Sequence, residues 1–349
     1  MADETGGAGG SDPSPDEAID GILRGAPDHV PGTRPIHAPG IVATGRFQAS
    51  EVASGFSSAA HFSGQSVPVT VRFSNGTGSP TPTDSDPLVR GMAVRFHPGR
   101  ATAPPPGPGQ EDEVDLVAMT LPIFFARDME GFMNFVRQPR AGVPRQSFWK
   151  KFVDTLYLRP PPERPPTSGE LAAVAYANDN PEARYAIVGL SALSVPESYV
   201  TCAYHPVHAY LLTAGDDVTA VRFRWEPVAG VRPAKPEPDS DPNYLQAELR
   251  KRLAGGPAEF VLRMQVAEQG DDTSDTTTPW PERRRRVVMG LLRIDAVVPE
   301  QEQEQANNQL DFNPTRMVDG IGLSDDQILH FRRAAYERSA VRRQEASPG

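Results

Sequence analysis

The sequence predicts an α+β fold built on one large antiparallel sheet, with enough strands to close into a barrel. Three observations predict it. Short runs with strand character recur along the chain, and several alternate apolar with polar residues, the period of a strand with one buried face. The joints between them are rich in Gly and Pro, with 37 prolines in all. Helical patterns lie between and after the runs, which places helices around the sheet.

Taken in chain order, residues 1–30 (MADETGGAGGSDPSPDEAID and onward) are small, polar, acidic and Pro/Gly-rich. They are expected to form a flexible arm, having little apolar surface to offset the entropy of ordering. Residues 31–349 are read as a single domain. Its strand runs are Val67–Ser74, Met92–His97, Val114–Ala118, Ala209–Leu212, Val218–Arg224, Phe260–Val266 and Val287–Ile294. Helices are expected at Glu130–Val136, Glu170–Ala177 and Tyr244–Leu253. The clearest helix is Ser324–Arg342, with Ser324 as its N-cap, acids at the next two positions and arginines in the last turn. Ala101–Asp112 (ATAPPPGPGQED) reads as a surface loop, and Arg159–Pro166 as a rigid extended connection.

The bulk properties narrow the function classes. A formal net charge of -10 disfavours binding to a polyanion, so no nucleic-acid partner is expected. No apolar run approaches the roughly 18 residues of a membrane span, so no membrane partner is expected either. The N-terminus lacks the basic-then-apolar pattern of a secretory signal. Cys202 is the only cysteine, which excludes an intrachain disulfide, a cysteine-based zinc cluster and covalent c-type haem attachment. A lone cysteine also fits a reducing compartment, and a cytoplasmic location is the expectation.

Seven histidines can each be weighed. His37 sits in RPIHAPG, in a loop or strand edge. His205 and His208 (HPVH) have a spacing that could chelate a metal, but no acidic or thiol partner stands nearby in sequence, and Pro206 opposes a helical reading. On the last helix Arg332 and Tyr336 are four residues apart and share a face. An arginine held beside a tyrosine hydroxyl favours the phenolate through charge attraction. Taken singly, each of these residues has a structural explanation as well.

Taken together, the segments RPIHAPG, PVTVRFSNG, DPLVRGMAVRFH, DLVAMTLPIFFARD, HPVHAYLL and FRRAAY resemble the catalase superfamily. The likeness is to its short members, the catalase-related peroxidases, and it runs in order from Arg34 to Arg343. The resemblance implies an antiparallel eight-stranded β-barrel with flanking helices that holds haem b. It implies that His37 is the distal histidine that moves the peroxide proton and that Ser74 hydrogen-bonds it. It assigns Tyr336 as the tyrosinate ligand of the iron, Arg332 as the arginine that keeps that ligand ionised, and His208 and Asp326 as the residues that hold Arg332. Arg34, Arg72 and Arg343 match the arginines that pair with the haem propionates, and Phe124 and Phe132 the aromatics near the distal face. The implied partners are a peroxide and a small organic electron donor.

Two departures shape the expected chemistry. The family's distal asparagine is replaced by Met119, a weak sulfur acceptor, which favours peroxidation of an organic donor over dismutation of hydrogen peroxide. Little chain precedes His37 or follows Tyr336, so the interlocked tetramer of full catalases is not expected, and a dimer is the better expectation. The competing readings are a fatty-acid hydroperoxide isomerase, resembling allene oxide synthases of the same fold, and a non-catalytic haem-binding protein. Retention of His37 and Ser74 argues against the second, because binding alone needs no proton shuttle.

Overall fold

The alternation read along Val67–Ser74 divides strand β2 (Ser66–Asn75) between two environments. Val67, Val69, Val71 and Phe73 enter the main hydrophobic core, so Thr70, Arg72 and Ser74 face the other side of the sheet. The same division runs through β1 (Gly40–Ala49), β3 (Arg90–Phe96) and β4 (Val114–Met119). The computed structural model describes residues 13–26, 28–79, 84–86, 88–137, 178–234, 241 and 243–346.

The remaining strands are β5 (Ala209–Ala214), β6 (Asp217–Pro227), β7 (Ala258–Val266), β8 (Arg286–Val297) and β9 (Ile321–Leu323). They form one antiparallel sheet in the order β4-β3-β2-β1-β8-β7-β6-β5-β9. The sheet curls into a half-barrel. Met119 at the end of β4 exchanges backbone hydrogen bonds of 3.0 and 2.7 Å with His205, and Tyr204 exchanges bonds of 3.0 and 2.8 Å with Trp225 of β6. These bridges draw the β4 edge back towards β6. The concave side is filled by aromatics, with Phe47 edge-on to Phe96 at 5.1 Å and Phe73 stacked on Tyr199 at 5.4 Å.

The α+β architecture is the expected one, but nine strands are present among the described residues where eight were expected. Two of the nine lie outside the sequence runs. β9 is only three residues long. β1 is interrupted by Gly45, whose Cβ would stand 2.0 Å from the Arg293 carbonyl oxygen, where the β1–β8 register shifts. A bulge with close backbone approach needs glycine and breaks the apolar pattern that marks a strand.

Six α-helices flank the sheet among the described residues: α1 (Pro15–Leu23), α2 (Met129–Arg137), α3 (Arg184–Ser191), α4 (Tyr244–Gly255), α5 (Glu300–Gln309) and α6 (Gln327–Ala346). The helix expected at Glu170–Ala177 and the connection Arg159–Pro166 lie outside the described residues. Part of the N-terminal segment expected to be a flexible arm is instead helical. Ser14 and Glu17 form a capping box around Pro15, and α1 docks on α6 through Asp16–Arg338 at 2.9 Å and Asp20–Arg342 at 2.7 Å. α6 begins later than expected, because Asp326, not Ser324, caps it. Asp326 Oδ1 accepts from the Ile328 and Leu329 amides at 2.9 and 3.2 Å, while the Ser324 hydroxyl is buried with no hydrogen-bond partner among the described residues.

One core residue sets an acid-sensitivity expectation. The His61 ring lies 4.1 Å from Phe62 and 4.6 Å from Phe96, and neither ring nitrogen has a partner among the described residues. Burial pushes its pKa down to about 3 from 6.5. A folded-state value below the unfolded one means that this stability is present above pH 6.5 and is lost as pH falls towards 3. His61→Leu should therefore flatten the acid limb of the stability curve, recovering about 2 kcal/mol between pH 6.5 and roughly 5 in chemical denaturation. Equal acid sensitivity in both proteins would contradict this.

Candidate active site

The strand register gathers the site on the face of β1–β4 away from the core. Gly40, Ser74, Gly91 and Met119 are successive cross-strand partners, so their side-chain positions form one row on that face. The next row is Val42, Arg72, Ala93 and Val117. His37, just before β1, turns over the first row. Its Nδ1 lies 3.0 Å from Ser74 Oγ. Its φ of 58° is in the left-handed region, a strained conformation for a non-glycine residue that recurs at functional sites.

Gly91, which sequence reasoning passed over, makes room for this histidine. A Cβ there would stand 2.6 Å from Ser74 Oγ and 2.8 Å from His37 Nδ1. Gly91→Ala should displace the imidazole from Ser74 Oγ, and a shifted His37 ring resonance in NMR would show it. An unchanged resonance in that variant would count against the placement. Removal from water, then the charges of Arg72, Arg332, Arg34 and Arg90, hold the His37 pKa down at about 3. The ring is thus neutral at pH 7 and able to accept a proton.

A second constellation is built around α6. Asp326 uses Oδ1 to cap the helix and Oδ2 to meet His208 Nδ1 at 2.6 Å. His208 Nε2 lies 2.7 Å from Arg332 Nη1, and Arg332 Nη2 donates to the Tyr336 hydroxyl oxygen at 2.5 Å. Because arginine only donates, His208 Nε2 must accept, and the ring proton sits on Nδ1 facing the carboxylate. Burial, above all, lowers the His208 pKa to about 4, consistent with a neutral ring. Val207, immediately before it, also has a positive φ of 50°, severe for a β-branched residue. The metal-chelating alternative for His205 and His208 has no support in this geometry. His205 pairs its backbone with Met119, and the His208 ring is committed to Asp326 and Arg332.

The three arginines named from sequence converge on the C-terminal end of α5. Arg34 donates to the Asn307 and Leu310 carbonyls, and Arg343 reaches Leu310 O at 3.3 Å. Arg72 donates through Nε to Asn307 Oδ1 at 2.8 Å and through Nη2 to His37 O and Ala38 O. Gly40 lets its guanidinium pass, since a Cβ there would stand 2.5 Å from Arg72 Cζ. Burial, then the charges of Arg72 and Arg343, lowers the Arg34 pKa. Burial, then Arg343, brings Arg72 down to about 10. Such mutually repelling cations, with Arg34 and Arg72 held among the described residues by carbonyl and amide oxygens, fit a group bearing carboxylates. Phe124 and Phe132 stack at 6.3 Å with an 11° interplanar angle, in the cluster that joins α1, α2 and α6.

The chain matches the family described as Catalase over residues 19–347. It is 33% identical over 329 residues to a catalase-related peroxidase of Mycolicibacterium paratuberculosis, covering 93% of each chain. It is 26% identical to a catalase-related peroxidase of Synechococcus elongatus, covering 89% of this chain and 84% of that one. It is also 26% identical to Catalase-2 of Bacillus subtilis, of which it spans 42%. Fold and likeness together define a peroxide-acting oxidoreductase. The chain belongs to the catalase family, whose members are in general haem-dependent.

Proposed function

We propose that the chain binds haem b and reduces hydrogen peroxide or organic hydroperoxides with electrons from a small organic donor. The observation that carries this reading is the hydrogen-bonded chain Asp326–His208–Arg332–Tyr336, which ends on a phenol oxygen and keeps a guanidinium against it. Tyr336 would be the iron ligand, and Arg34, Arg72 and Arg343 would hold the propionates. Phe124 and Phe132 would pack near the distal face. Haem, when bound, supplies the iron at which the peroxide oxygen–oxygen bond is reduced.

The chain's own residues manage the protons. His37, with its Nδ1 proton towards Ser74 Oγ, offers Nε2 to take the hydroperoxide proton and return it to the departing oxygen. The overall balance is one hydroperoxide, two electrons and two protons giving one alcohol and one water, or two waters from hydrogen peroxide. The donor supplies both electrons. Met119, in the cross-strand row of Ser74, presents a thioether rather than an amide. That favours donor oxidation over oxygen release.

An absorption spectrum of the purified protein, taken before and after peroxide, tests the reading. A high-spin ferric tyrosinate spectrum that changes on adding peroxide and returns with donor is expected. A protein that stays colourless after haem reconstitution would overturn it, as would strong oxygen release from hydrogen peroxide with no donor oxidation.

A further inference from the structure

We infer that Asn307, which the family resemblance leaves without a role, is a positioning residue that aims the arginine cluster at the carboxylates of the cofactor. The inference rests on the haem reading above. Asn307 lies on α5, and both Arg34 and Arg72 bond to it, the first at its backbone carbonyl and the second at its side chain. Its Oδ1 accepts from Arg72 Nε at 2.8 Å, and its Nδ2 donates to Gly40 O and Gln303 O, each at 2.9 Å. The amide orientation is dictated by these partners, because a guanidinium only donates and a carbonyl only accepts.

The side chain therefore ties three pieces of chain together: the start of β1, the Arg72 guanidinium and the last turn of α5. Arg72 is restrained at Nε and Nη2, which among the described residues leaves Nη1 for a ligand. Charge makes the amide the suitable residue at this point. A carboxylate would hold Arg72 equally well, but it would neutralise the cation and compete with an incoming anion. The neutral oxygen orients the guanidinium and leaves its charge for the ligand. Gln303, one turn earlier, fastens the helix by accepting from Val42 N at 2.9 Å and donating to Val42 O and Val298 O at 2.8 and 2.7 Å. The clamp therefore sits on a fixed support.

The test is a titration of the full chain, prepared without haem, with haem and with its dimethyl ester, followed in the Soret band. The wild type should prefer the free acid over the ester. Asn307→Ala should reduce that preference by about tenfold, as the loss of one oriented charge-assisted contact implies, with ester affinity unchanged. Asn307→Asp should reduce it further. Unchanged ester affinity and far-UV dichroism show that each variant remains folded. A wild-type preference retained in both variants, or a stronger one in Asn307→Asp, would overturn the inference. A wild type that took up neither compound would overturn the haem reading itself, a different and separable result.

Discussion

Replacing His37 with Ala should lower peroxide turnover by about 10²–10⁴-fold, the usual contribution of a positioned proton-transfer group, while haem uptake stays near wild type. The physical reason lies in the division of labour across the site. The cofactor carboxylates would be held by Arg34, Arg72 and Arg343, and the iron by Tyr336, so nothing in the proposed binding depends on the imidazole. His37 is poised to accept a proton first and return it afterwards. Its ring is held near Ser74 Oγ at 3.0 Å and kept neutral by loss of water and by surrounding cations. The acid limb of turnover should accordingly lie below the ordinary imidazole value of 6.5, because the neutral form persists as pH falls towards 3. Stopped-flow measurement of peroxide consumption, with haem quantified in the same sample, checks both parts. Unchanged turnover in His37→Ala would remove the acid–base role.

Asp326→Ala should be strongly destabilising, by about 2–4 kcal/mol, as expected for a buried carboxylate that holds several donors at once. One oxygen caps α6, for which loss of about 1 kcal/mol is typical. The other accepts from His208 Nδ1 at 2.6 Å, and its removal would orphan a buried N–H. Asp326→Asn separates structure from chemistry. Its Oδ1 can still cap the helix, so the loss of stability should be smaller. Its Nδ2 would then face His208 Nδ1, driving the ring proton to Nε2, where it would oppose Arg332 Nη1. Arg332 would swing away from the Tyr336 oxygen, so the charge-transfer band of the proposed tyrosinate ligand should shift although the fold is retained. Chemical denaturation and the ferric spectrum provide the two readouts. An Asp326→Asn protein with a wild-type spectrum would show that the chain of hydrogen bonds does not reach the tyrosine.

Two helices carry little sequence signal. α5 escapes a search for apolar periodicity because EQEQEQANNQ has no stripe, and only Gln303 and Ala306 of it are buried. A side-chain amide that imitates a strand partner replaces the apolar face. α1 was hidden in an acidic, Pro/Gly-rich stretch, although the local signal SPDE, a serine followed by proline and two acids, was present. It becomes a helix because Ala18 and Ile22 pack against α2 and α6, while Arg338 and Arg342 of α6 pair with Asp16 and Asp20.

By itself, the sequence determined which face is apolar in the strands it marked by alternation, because side-chain period two is a local property. Val69, Val71 and Phe73 are thereby separated from Arg72 and Ser74 without reference to any partner. It likewise placed Arg332 and Tyr336 on one face of α6, because helical spacing is local too. Only the tertiary structure decided that Gly91 must be small, that Asn307 meets two arginines, and that Asp326 serves both a helix and a histidine. Those facts depend on sheet register and on contacts between residues more than a hundred positions apart, such as His208 and Asp326, separated by 118. A residue's type is written locally, but what stands opposite it is settled only when the chain has folded.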